Sequence, residues 1–139
     1  MSESVDNLLD KGLERYQAGE KAEELIPYFQ ELCDRAPRNA NAWSCLAWLY
    51  LLTEQGKKAL KAAQKSTKIE SKAPQARINL ALAMLEVGEK GVRKHIEMVQ
   101  QIMSLDSQIA QDIHENIEDG LARKPDWENL KRVKKWLAD

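Results

Sequence analysis

Two histidines, two cysteines and a scattering of carboxylates are the side chains through which this chain could do metal or acid–base chemistry. A zinc site needs three or four converging ligands, and a helical pair of histidines needs close spacing. His95 and His114 stand too far apart for such a pair, and Cys33 and Cys45 lack the spacing of a zinc motif. The adjacent carboxylates Glu23-Glu24 and Glu118-Asp119 have no nucleophile or pocket motif beside them, so they are expected on solvated helix faces. Gly88-Glu89-Lys90-Gly91 has no strand before it and no Lys-Ser or Lys-Thr after it, unlike a phosphate-binding loop. No segment supplies a nucleophile, a tuned base and an orienting partner together. The expectation is a protein with no catalytic site, no metal and no cofactor.

The elements that position the remaining side chains are bounded by composition. Hydrophobic residues make up 43% and charged residues 31%, with 6 Gly and 4 Pro, which fits a helical globular chain and neither a disordered nor a β-rich one. A length of 139 residues suits one domain covering the whole chain. The net charge of -1 argues against nucleic acid, which calls for a basic domain. No apolar run reaches membrane-spanning length, and Met1-Ser2-Glu3-Ser4-Val5-Asp6 is unlike a secretory signal. Cys33 and Cys45 sit among apolar residues and read as buried free thiols, which points to a reducing, cytoplasmic setting.

Comparing the chain with itself exposes a repeat. In Trp43-Ser44-Cys45-Leu46-Ala47-Trp48-Leu49-Tyr50, the large residues Trp43, Leu46 and Tyr50 share one helical stripe, and Ala47 leaves room for a neighbouring helix. Ala59 and Ala63 come next, in a second helix. A shift back by one repeat lands on Leu9, Gly12, Leu13 and Tyr16, then Leu25 and Phe29; a shift forward lands on Arg77, Leu80, Ala81 and Met84. Gly19, Gly56 and Gly88 lie near the inter-helix turns. This pattern resembles the tetratricopeptide repeat, a helix-turn-helix unit of about 34 residues. The resemblance implies an all-α, right-handed α-solenoid of antiparallel helix pairs with about eight helices.

The expected repeats cover residues 6–39, 40–73 and 74–106, with a degenerate capping hairpin over 107–139. Val92, Ile96, Val99 and Met103 carry their stripe one position early, so a turn shorter by one residue shifts the next helix as well. Ala110, Ile113 and Ile117 then take the Trp, Leu and Tyr positions of the fourth unit, and His114 its small position. A last helix is expected from Pro125, burying Trp127, Leu130, Val133 and Leu137, with Lys131, Arg132, Lys134 and Lys135 outward as a cap. Pro27 predicts that the helix around it starts late or bends.

The resemblance also implies a concave groove lined by first helices, and with it the function of a protein-binding adaptor, scaffold or assembly factor that takes a peptide or helix of its partner. Carried over by register, the groove holds Asn7, Asp10, Glu14 and Gln17, then Asn41, Ser44, Trp48, Leu51 and Leu52. It continues with Gln75, Ile78, Leu82 and Leu85, then Gln111, Glu115 and Glu118. The centre is apolar and the ends acidic, which suits a segment with apolar anchors and basic flanks. Trp48 is either an anchor for that partner or is packed against a neighbouring element. Some relatives grip a carboxylate tail with Lys, Asn and Arg, but the corresponding positions here hold Asp10, Glu14, Cys45, Gln75 and Asn79. Two other readings stay open: self-association through the groove or Trp136, and docking to an acidic partner, nucleic acid or a membrane surface by the stripe Lys57, Lys58, Lys61, Lys65, Lys68 and Lys72 on a basic convex face. That stripe is otherwise a solvated surface.

Overall fold

The computed structural model describes residues 3–138. They form eight helices: α1 (Val5–Gln17), α2 (Ala22–Arg35), α3 (Ala40–Leu52), α4 (Gly56–Ile69), α5 (Pro74–Val87), α6 (Arg93–Leu105), α7 (Ser107–Arg123) and α8 (Glu128–Ala138). Their starts are written in capping chemistry. Ser4 accepts from the Asn7 amide at 3.2 Å, Asn39 from Ala42 at 3.0 Å, and Asp106 from Gln108 and Ile109 at 3.0 and 3.1 Å. Pro74 opens α5, and Gly88 at φ 79° closes it in the left-handed conformation. At the α3–α4 turn, Glu54 takes the positive φ of 60°. Gly56 instead starts α4, where an added Cβ would stand 3.0 Å from that of Glu86, so its glycine serves close packing rather than a turn.

Neighbouring helices pack in sequence, and α3 also meets α5. α8 folds back onto both α5 and α6. This return explains the two central helices. α3 and α5 are apolar nearly all round, and in α5 the run from Ile78 to Met84 is buried without a break. The outer helices α2, α4 and α6 bury a single stripe each.

Three local expectations are corrected. α2 does not start late: it begins at Ala22, and Pro27 lies past the first turn, leaving the Glu23 carbonyl without its usual i+4 amide donor. α8 begins at Glu128, because Pro125 sits in a turn closed by the Trp127 amide on the Lys124 carbonyl at 3.1 Å. His114 is exposed; Gly120, one turn beyond Ile117, is the small residue that α7 presses inward. Trp127, Leu130, Val133 and Leu137 are buried as expected. The start of α7 comes after that of α5 at one residue less than the step from α3 to α5.

Candidate functional site

First helices α1, α3 and α5 form the inner surface, and α7 lies across it. Between them is a cavity of about 330 Å³ lined by Leu13, Tyr16 and Gln17 of α1, Phe29 of α2, and Ser44, Cys45, Trp48 and Leu49 of α3. Gln75 and Asn79 of α5 and Glu115, Asn116 and Asp119 of α7 complete the wall.

Two polar chains tie α7 to the other walls. In the first, Asn116 donates to Gln75 at 3.0 Å, Gln75 to Asn79 at 2.9 Å, and Asn79 to the Ser44 carbonyl and hydroxyl at 3.0 and 2.9 Å. Asn79 is buried, and these partners satisfy it. In the second, the Trp48 indole N–H donates to the Tyr16 hydroxyl at 2.9 Å, and Tyr16 donates to Asp119. Arg123 donates to the carbonyls of Tyr16 in α1 and of Glu20 in the turn after it, and its guanidinium lies 3.7 Å from the Tyr16 ring centroid. Burial, then the bond to Asp119, pushes the Tyr16 hydroxyl pKa up, so it stays protonated and able to donate.

Trp48 belongs to this closure. Its ring lies 5.2 Å from that of Trp127, and a Cβ on Gly120 would fall 2.7 Å from it. It is half-buried, with part of its surface lining the cavity. Trp48 is therefore packed against Tyr16, Gly120 and Trp127, while part of its ring stays on the cavity wall.

The expected groove residues separate once placed. Ser44 and Trp48 line the cavity. Asp10, Glu14 and Asn41 are exposed outside its wall. Leu51, Ile78 and Leu82 are buried in the core, at 1%, 0% and 0% exposure, because their helices are covered on several sides. Leu52 and Leu85 are half-buried against that core. The expected apolar patch is thus core. Leu13, assigned to the small packing position, is instead 37% exposed and faces the cavity, while Gly12 makes the close approach to Phe29. The closure by Asp119, Arg123 and Gly120 has no signature in the sequence, since nothing local to α7 signals a partner on α1.

The convex lysines Lys57, Lys58, Lys61, Lys65, Lys68 and Lys72 are all exposed. Trp136 is half-buried under Arg132, at 5.0 Å, and borders a separate cavity of about 350 Å³ beside α6. Cys33 and Cys45 are free, and burial pushes both thiols up to about 12. Among the described residues no three His, Cys, Asp or Glu side chains are grouped to hold a metal, and no helix is long and apolar enough to cross a membrane.

No protein-family model and no curated protein matches the chain. Solved structures do. The type III secretion translocator chaperone SycD of Yersinia enterocolitica superposes with a TM-score of 0.68 at 18% identity, over 94% of this chain and 86% of that one. PcrH, in complex with the chaperone-binding region of PopD, gives 0.66 at 20% identity, over 86% and 92%. The first tetratricopeptide domain of Spaghetti (RPAP3), bound to an HSP90 peptide, gives 0.55 at 16%, over 97% and 94%. This chain has the tetratricopeptide fold. Within that fold, α7 and its two polar chains wall one side of a half-open cavity on the inner surface.

Proposed function

We propose that this tetratricopeptide-type chain is a protein-binding adaptor or assembly factor that acts without catalysis. Its concave cavity takes a peptide or helix of a partner protein carrying apolar anchors and basic flanks. The cavity wall carries the reading: Leu13 and Trp48 offer apolar surface over buried Phe29 and Leu49, Glu115 and Asp119 offer carboxylates, and no Lys or Arg of the described residues lines it. The complexes of PcrH with a PopD region and of RPAP3 with an HSP90 peptide support a peptide ligand for this fold. None of the wall residues Cys45, Gln75 and Asn79 is a cation that could grip a carboxylate, and Glu115 and Asp119 would repel one, which disfavours an acidic tail in this cavity. Two free thiols with raised pKa support a reducing, cytoplasmic setting.

A photo-crosslinking amino acid at Leu13, with a control at exposed Gln101, tests the proposal in extracts of the native cell. The expected result is a discrete adduct from position 13 that disappears in Glu115→Lys and is absent from position 101. Equal adducts at both positions, or none at 13, would rule out the cavity.

A further inference from the structure

We infer that the outer face of α4 is a second docking surface, one helix wide, for a linear acidic segment of another polypeptide. Among the described residues α4 is the only helix whose charges all have one sign: Lys57, Lys58, Lys61, Lys65 and Lys68, with no carboxylate between Gly56 and Ile69. All five are exposed, and among the described residues none forms an ion pair. α8 is nearly as basic, but its Lys131 is bound to Glu128 and its Lys134 to Glu118. Uncompensated cations on one face raise the local potential and draw an anionic partner.

Two of the lysines are already positioned. Lys65 lies 4.3 Å from the Trp43 ring centroid and Lys58 5.9 Å from that of Tyr50, which lowers the entropy cost of ordering them for a partner. The width of the strip selects the class of partner. Gln30 of α2 donates to the Tyr50 hydroxyl at 2.8 Å, which sets α2 on the same side of α3 as Lys58. α2 exposes Glu23, Glu24, Glu31 and Asp34 against the single cation Arg35. A nucleic acid duplex or an anionic bilayer would spread its charge over both helices and meet these carboxylates. An extended polypeptide can track α4 alone. Lys57 to Lys68 spans about 17 Å of helix, matched by about five residues of extended chain.

Anisotropy of a labelled oligoglutamate peptide with the full chain, at about 50 mM salt, tests this. Saturable binding is expected, weakened about tenfold or more in Lys61→Glu/Lys68→Glu, whose side chains touch neither aromatic ring. The equally charged control Lys131→Glu/Lys135→Glu should bind like wild type, with circular dichroism confirming that both variants fold. The inference is overturned if wild type does not bind, or if both double variants weaken alike. Equal or tighter binding of a DNA duplex or of phosphatidylserine vesicles also overturns it. So does salt-sensitive self-association lost in Lys61→Glu/Lys68→Glu, which would assign the strip to α2 of a second copy.

Discussion

Gly120 shows how much one missing methyl can do. Its Cα lies so near Trp48 and Leu130 that a Cβ would sit 2.7 Å from the first and 2.8 Å from the second. Neither neighbour can retreat, because Leu130 is fully buried and the indole is held by Tyr16 and Trp127. Gly120→Ala is therefore expected to cost about 1–3 kcal/mol despite its higher helix propensity, measured as a lower urea midpoint. His95 is a second informative residue. It is buried, and its Nδ1 lies 3.1 Å from the Arg77 guanidinium, which can only donate, so Nδ1 is the acceptor and the ring neutral. Burial, then Arg77 and Lys94, lowers its pKa below the usual 6.5. As pH falls through the unfolded value, the unfolded chain binds a proton that the folded chain refuses, and stability drops until the lower folded pKa is reached. Urea midpoints should fall as the pH is lowered through the unfolded value of about 6.5, and His95→Gln should flatten that slope.

At the scale of elements, α7 is the part that turns an open inner surface into a cavity. Its hold on α1 rests on Arg123 and on the Tyr16–Asp119 bond. Arg123→Ala removes two backbone carbonyl partners and a cation–π contact at once. Amide exchange should accelerate in α1 and in the second half of α7, while α4 and α5 keep wild-type protection. α2 carries a different kind of defect. Exposed Pro27 sits past its first turn, so Pro27→Ala restores the bond to Glu23 and should raise stability by about 1–3 kcal/mol in chemical unfolding.

For the molecule as a whole, the two thiols report on folding and on occupancy separately. Cys33 lies in the core, and Cys45 borders the cavity. With both pKa values pushed up to about 12, neither supplies much thiolate near neutral pH, so Ellman labelling should be slow in the folded protein and fast in urea. In a Cys33→Ser background, a segment bound in the cavity should slow Cys45 further. In a Cys45→Ser background, it should leave the Cys33 rate unchanged.

What the amino-acid sequence determined by itself is local. The stripe of Trp43, Leu46 and Tyr50, the caps at Ser4, Asn39 and Asp106, and the glycines after α1 and α5 specify helices and where they stop, because each is settled within a turn or two of chain. The all-lysine character of α4 was equally legible, since exposed charge needs no partner to be recognised. Which face of α3 and α5 meets solvent was decided only by tertiary packing. A helix apolar all round carries no stripe to orient it, so Leu51 went to the core where α2, α4 and α5 pack on α3, and Ile78 and Leu82 where α3, α4, α6 and α8 pack on α5. The closure was decided there too. Tyr16 and Asp119 lie 103 residues apart, and only the curvature of the whole solenoid brings the end of α1 to α7.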